Sequence, residues 1–409
     1  MLDKNKASKK QVVGILIDIG NSETRVRVKY RPIKGIGQEF EPVESTFAIS
    51  NHYANLESSK VIEPEYQNSS TTIMDINGVR IAHGMIVERE YDGMWLIPTG
   101  KGDKSTEAIT GWTVRNVILK TIHLLAETWG IDASDVDVAF NIFCLIPPEE
   151  HQYNKQGMID LIADIDEVVE LVPNADGVYS SVPHEVVCNN IQTFPEGITA
   201  FVGISTNIAN NKVSPNPAVA AFMKGLVLVV DIGAGTTDLA IMQDGILRSD
   251  SRMTIYEAGN HILSVFMRNA KSNPIIRKRL SGRPIKNISA VMTEAMIREG
   301  AGIEEDCRDA LNAAKDDLAS TLANSIASYC QGLNVVQDIK GILVVGGANT
   351  AATRDGEIVS PALETLLVPR IKNFAPGAEL LPIGNRDPRY LNLDGLEAMY
   401  LAQMAKDKP

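Results

Sequence analysis

Cysteine is scarce in this chain of 409 residues: Cys144, Cys188, Cys307 and Cys330 are scattered, with no Cys-x-x-Cys pair. That excludes a disulfide framework and a thiolate zinc site, and fits free thiols in a reducing compartment. The six histidines, His52, His83, His123, His151, His184 and His261, show no ligand spacing and read as surface or satisfied core residues. A run of about 18 uncharged apolar residues is missing, so no membrane-spanning helix is expected. The start, MLDKNKASKK, has no apolar core of a secretion signal, so a cytoplasmic location is expected. No Gly-x-Gly-x-x-Gly follows a strand, which argues against a dinucleotide site. Gly100-Lys101-Gly102-Asp103-Lys104-Ser105-Thr106 misses the phosphate-loop spacing, because Asp103 separates glycine from lysine, and reads as a surface loop.

What is present is ordinary for a globular chain, with 44% hydrophobic and 22% charged residues. At about 150 residues per domain, two or three domains are expected. The net charge of −12, from 39 Lys+Arg against 51 Asp+Glu, argues against broad binding to nucleic acid or anionic membrane. The stretch Arg277, Lys278, Arg279, Arg283 and Lys286 is the basic exception and reads as a solvated face or a protein contact.

The apolar run Val12–Ile17 reads as a buried strand, and the alternating Thr24–Tyr30 as a half-buried one, so residues 12–30 predict a hairpin. Helices are expected over 106–129, 158–165, 257–300, 303–330 and 393–404. Strands are expected at Val136–Ile146, Glu167–Val172, Glu185–Phe194, Gly225–Val230 and Ile342–Val345. The Asn/Pro-rich segment 207–217 reads as a linker or insertion.

The informative feature is an internal echo. Gly14–Thr24 and Leu226–Asp238 share one plan: a buried strand ending in Asp-Ile-Gly (Asp18, Asp231), a turn of small residues, then a second strand. A duplicated pair of α/β domains produces such an echo. Turns of Gly, Ser and Thr bring backbone N–H groups together and bind anionic oxygens. The candidate phosphate residues are therefore Gly20, Asn21 and Ser22 in the first turn, and Gly233, Ala234, Gly235, Thr236 and Thr237 in the second. Arg25 is a candidate cation beside the phosphates. Asp18 and Asp231 cannot hold phosphate directly, but can hold Mg2+ through water. Gly346-Gly347-Ala348, after a strand, lets a flat base approach the backbone.

The order and spacing of these motifs resemble the actin/Hsp70/sugar-kinase ATPase superfamily. The resemblance implies two related actin-like (ribonuclease H-like) α/β domains around a nucleotide cleft. It implies a domain I over 1–206 with an insertion at about 31–105, a domain II over 218–389 with an insertion at about 261–302, and a helix at 390–409 returning to domain I. It implies adenosine contacts at Gly259, in the Glu257–Asn260 turn, and at Lys315. Phe194–Ala200 is similar to a segment of bacterial plasmid-segregation actins (ParM type), which implies that Glu196 orients the attacking water, with Asp231 as the second catalytic residue. The implied activity is hydrolysis of ATP or GTP with Mg2+, coupled to filament assembly, with plasmid DNA reached through a small DNA-binding adaptor. Direct contact with nucleic acid or membrane is not expected. On this reading the 100–106 loop is a candidate filament contact. The alternative is a non-polymerising small-molecule kinase or a chaperone-like reactivating ATPase on the same fold.

Overall fold

The computed structural model describes residues 10–20, 23–56, 71–84, 87, 94–95, 104–174, 178–272, 305–354 and 357–406. The chain divides into two compact units, residues 1–146 with 150–194, and residues 147–149 with 195–409. The changeover at Phe194–Pro195 precedes the boundary expected at 206–218. The helix at the C-terminus belongs to the second unit rather than the first.

In the first unit a five-stranded sheet runs β5-β4-β1-β2-β3, where β1 is Gln11–Ile19, β2 Glu23–Tyr30, β3 Val43–Ser50, β4 Val138–Ile146 and β5 Cys188–Pro195. β1 and β2 form the expected antiparallel hairpin, and β4 lies parallel to β1. Every residue of β4 is buried, as expected for a strand with both faces covered. Helix α1 (Ala108–Trp129) packs its apolar face (Val114, Val117, Ile118, Ile122, Leu125) into this core. It stops at Gly130, whose left-handed φ of 66° lets its N–H cap the Ala126 carbonyl. A second sheet carries Tyr179–Glu185, Glu167–Pro173, Thr71–Ile76, Val79–Gly84, His52–Leu56 and Met94–Trp95 in that order.

The second unit repeats the plan. β6 (Leu226–Ile232) and β7 (Thr237–Gln243) form an antiparallel hairpin, and β9 (Ile339–Val345) is parallel to β6. β8 (Ile246–Leu247) and β10 (Glu379–Leu380) close the edges, and Met253–Ile255 also pairs with β7. The helices are α3 (Ile198–Ser205), α4 (Gly259–Ser272), α5 (Glu305–Gly332), α6 (Glu364–Lys372) and α7 (Leu391–Lys406). Leu311, Ala314, Leu318, Leu322 and Ile326 of α5 bury against Leu228, Val230 and Ile342 of the sheet, as its stripe predicts.

Three expectations are corrected. Segment 207–217 is not a linker: Thr206–Ala209 and Lys212–Pro215 form a hairpin inside the second unit. Its Asn210-Asn211 turn has φ of 52° and 56°, the left-handed pair that a two-residue hairpin needs. The strand expected at Glu185–Phe194 is two strands, Tyr179–Glu185 and Cys188–Pro195. Between them Val186 donates to the Asp166 carbonyl and Val187 accepts from Phe140, carrying the chain from one sheet to the other. The helix expected at 158–165 lies in the longer segment α2 (Pro148–Ala163), whose backbone leaves helical geometry at Asn154, with φ −137° and ψ 26°, so that a short helix opened by proline joins a second one across a kink. The helix expected over 257–300 is described over Gly259–Ser272; its remainder, with the basic residues 277–286, lies outside the described residues. Among the described residues no helix is long and apolar enough to cross a membrane.

Candidate functional site

Each unit places its Asp at the mouth of a hairpin. In the first, β1 and β2 pair Asp18 with Arg25 and Ile19 with Thr24, and the Gly20 N–H closes the turn on the Glu23 carbonyl at 3.1 Å. A Cβ on Gly20 would sit 2.6 Å from that carbonyl, so the tight turn requires glycine. Arg25 lies 3.6 Å from the Asp18 carboxylate and 3.0 Å from that of Glu23. Burial pushes the Asp18 carboxyl above the usual carboxylate range, while the charges of Arg25 and Lys104 pull it back. Asn21 and Ser22 lie outside the described residues.

Two residues that sequence reasoning missed complete this hairpin. Asn51, wholly buried, accepts from the Thr24 hydroxyl at 2.8 Å and donates to the Gly20 carbonyl. Lys104 donates its amino group to the Ile19 carbonyl, and its backbone N–H donates to the buried Glu150 carboxylate at 2.9 Å. A lone asparagine at the end of β3 carries no spacing signal. Lys104 stood in the very segment dismissed as a failed phosphate loop.

In the second unit β6 and β7 pair Asp231 with Asp238, and the Gly233 N–H closes the turn on the Thr236 carbonyl at 2.9 Å. Ala234, Gly235 and Thr236 stand half-buried at this turn. Thr237 does not offer its hydroxyl: it is wholly buried and donates to the Glu257 carbonyl at 2.7 Å. That bond ties the hairpin to the Glu257–Asn260 turn. Gly259 and Asn260 then donate to the carbonyls of Gly233 and Ala234 at 3.0 and 2.6 Å. A Cβ on Gly259 would approach Gly233, Ala234 and Ala348 at 3.1–3.3 Å, so this glycine joins the hairpin to the loop after β9.

Three further elements converge on Asp231. Gly346, at φ 94°, leaves β9 so close that a Cβ would meet the Ile232 carbonyl at 2.4 Å and the Asp231 carboxylate at 2.5 Å. Gly197, at φ 68°, faces the Asp231 side chain, and a Cβ there would approach its Cβ at 3.4 Å. The half-buried Glu196 is therefore one residue from Asp231's neighbour, at the turn that opens α3. Asn392 of α7 donates to the Asp231 carboxylate at 2.7 Å and accepts from the Gly197 N–H at 3.1 Å and the Thr199 hydroxyl at 3.0 Å. α7 reaches this position through glycine: a Cβ on Gly395 would sit 1.7 Å from the Thr199 carbonyl, and one on Gly203 2.4 Å from the Leu391 carbonyl.

Lys315 is not an open cation. It is 2% exposed and donates to the carbonyls of Thr350 and Pro361 at 3.2 and 2.7 Å. Thr350 in turn donates to the Gly347 carbonyl at 3.0 Å, so Lys315 supports the Gly346-Gly347-Ala348 loop from within. Burial pulls its pKa down to about 8. Asn349 fixes the same loop, donating to Val344 at 3.1 Å and Glu364 at 3.0 Å.

Among the described residues no three His, Cys, Asp or Glu side chains converge as a metal cage. A buried carboxylate at each hairpin, beside turn N–H groups, instead suits Mg2+ that keeps its water and is carried by phosphate oxygens.

No protein-family model and no curated protein matches the chain. Solved structures do match. The actin-like protein Alp7A aligns at TM-score 0.63 and 14% identity, over 97% of both chains. Ta0583, an archaeal actin homolog, aligns at TM-score 0.59 and 14% identity, over 97% of this chain and 100% of that one. Bacillus thuringiensis ParM with ATP aligns at TM-score 0.57 and 14% identity, again over 97% and 100%. At such identity the likeness speaks to architecture, and over nearly its whole length this chain has the actin-like fold, resembling that of ParM.

Proposed function

We propose that the protein is a filament-forming NTPase that binds Mg-ATP or Mg-GTP, hydrolyses it, and segregates plasmid DNA through a small DNA-binding adaptor. The observation that carries the reading is the convergence on Asp231 of a phosphate-type turn, the Glu196-Gly197 turn and the Gly346 loop. The likeness to a ParM crystallised with ATP, and to another with AMPPNP, supports a nucleotide as ligand.

In this reading the N–H groups of an Asp-Ile-Gly turn hold phosphate oxygens in each unit, with Arg25 adding positive charge in the first. Mg2+, when bound, neutralises phosphate charge, and the hairpin Asp of each unit, Asp18 or Asp231, is the carboxylate that would hold its water. Glu196 accepts a hydrogen bond from the attacking water and orients it toward the terminal phosphate. Asn392 fixes the Asp231 carboxylate, so its lone pairs keep one direction. Gly259, Gly346, Gly347 and Ala348 line the base, with Lys315 behind them. The acidic net charge agrees with reaching DNA through an adaptor.

Light scattering of the pure protein with Mg-ATP and then Mg-GTP, followed by negative-stain imaging, tests this. Nucleotide-triggered scattering with visible filaments is expected, and it names the nucleotide. Nucleotide binding without assembly would overturn the filament reading in favour of a kinase or reactivating ATPase, and a screen for phosphate transfer to hydroxyl compounds would separate those two.

A further inference from the structure

We propose that His123, Glu170 and His184 form a proton-sensitive clasp that fastens the outer hairpin of the second sheet to helix α1, tight at mildly acid pH and looser above neutral. The inference goes beyond the nucleotide reading and lies wholly within the first unit.

The sheet register brings two of the three together. Strands Glu167–Pro173 and Tyr179–Glu185 pair antiparallel, with Glu170 opposite Val182 and His184 opposite Val168, and Tyr179–Glu185 stands first in the sheet order. Residues two positions off a direct pair share a face and lie within reach of long side chains. Glu170 and His184 therefore meet diagonally, with His184 Nε2 3.6 Å from the carboxylate. His123 comes from α1, and its Nε2 bonds the same carboxylate oxygen at 3.0 Å. The side chains grade from half-exposed to buried: 47% for His123, 17% for Glu170 and 3% for His184. Among the described residues the buried His184 Nε2 has no partner within hydrogen-bond distance.

The charge balance makes this trio sensitive to a proton. With both imidazoles neutral, Glu170 is a largely buried negative charge. One proton on the imidazoles balances it and turns the 3.0 Å contact into a charge-assisted bond, about twice as strong as a neutral one. The surrounding charges are few. On α1, Lys120 stands one turn before His123 and acts on both His123 and Glu170, and Glu127 stands one turn after. Asp132, beyond the end of α1, acts on both histidines. Met74, paired with Glu170 on the next strand, is uncharged. The bond to Glu170 raises the His123 pKa above its ordinary 6.5, against burial. Burial would raise the Glu170 carboxyl, but its bonds to the two histidines hold it down at about 2. The His123 share of stability is complete below 6.5 and lost as pH rises through the raised pKa. The Glu170 share is complete above its ordinary 4.5 and lost only toward 2. The clasp is thus complete between 4.5 and 6.5, and loosens on the alkaline side.

The experiment is an NMR titration of the histidine rings in wild type and Glu170→Gln, beside amide hydrogen exchange at pH 6 and pH 8 in wild type, Glu170→Gln and His123→Gln. His123 is half-exposed, so His123→Gln keeps the fold and carries the exchange test even where Glu170→Gln does not fold. The wild-type His123 midpoint should lie above 6.5, and it should drop in Glu170→Gln. At pH 6 the amides of Tyr179–Glu185 should exchange roughly two- to fivefold more slowly in wild type than in either variant, the range of a partly exposed ion pair. At pH 8 that ratio should shrink toward one. Comparing proteins at one pH cancels the intrinsic pH dependence of exchange. A wild-type His123 midpoint at or below 6.5 would overturn the proposal. So would one exchange ratio at both pH values, which marks a hydrogen bond that holds the hairpin whatever its charge.

Discussion

Asn392 and Asp231 are 161 residues apart in sequence, and the Asn392 amide donates to the Asp231 carboxylate at 2.7 Å in the interior of the second unit. The same side chain accepts from the Gly197 N–H at the turn that carries Glu196. One asparagine on the last helix thus holds the Asp231 carboxylate and the backbone N–H that follows Glu196.

Replacing Asn392 with Leu should therefore disturb stability and turnover together. It removes a hydrogen bond from a buried carboxylate and the acceptor of the buried Gly197 N–H, at about 1–3 kcal/mol. Urea melts should show a lower midpoint, and hydrolysis should fall. Asn392→Asp should show a pH signature. Two carboxylates at that distance raise the pKa of one above its unfolded value, so the folded state binds an extra proton. Its stability deficit relative to wild type should be smaller at pH 5 than at pH 8. An equal deficit at both would remove the contact.

Asp231→Ala should abolish hydrolysis of Mg-nucleotide, because the hairpin loses its metal-facing carboxylate. Undiminished turnover, measured as phosphate release, would refute the two-hairpin reading.

Glu196→Ala should leave nucleotide affinity close to wild type and slow hydrolysis about 100-fold or more, the range for a lost acid or base in proton handling. Filaments should then persist longer after nucleotide addition. Loss of binding would instead assign Glu196 a structural role at the start of α3.

Gly395→Ala should be among the most damaging single-methyl changes, since the new Cβ would lie 1.7 Å from the Thr199 carbonyl. Separating α3 from α7 would also withdraw Asn392. A loss of at least about 3 kcal/mol is expected, in the range of severe overpacking. Gly377→Ala, where the added carbon meets nothing within 4 Å, is the control and should melt near wild type.

Lys315 predicts an alkaline gain. Its pKa falls to about 8 on burial, from an ordinary 10.5, so between those values the unfolded chain holds a proton that the folded chain has released. Stability then rises with pH across that window, by about 3 kcal/mol in total at 1.36 kcal/mol per pKa unit. Lys315→Met should lack this rise; the wild-type minus variant curve from urea melts at pH 7 to 10.5 measures it. A flat difference would mean the lysine is charged in the fold throughout.

The sequence by itself determined both Asp-Ile-Gly hairpins, the strand before Gly346 and the apolar stripe of α5. These are local: a buried strand, a glycine turn and a 3.6-residue period are written in neighbouring residues. The tertiary structure alone decided that Thr237 is spent on Glu257, that Lys315 braces a loop from inside, that Asn51 and Lys104 bond to the first hairpin, and that Asn392 bonds to Asp231. Each of these is a single polar side chain whose partners lie 20 to 195 positions away. No periodicity marks such a residue. Its role exists only once a buried donor or acceptor must find a partner, and which partner is nearest is settled by the packing of sheets and helices, with Gly203 and Gly395 allowing the closest approach.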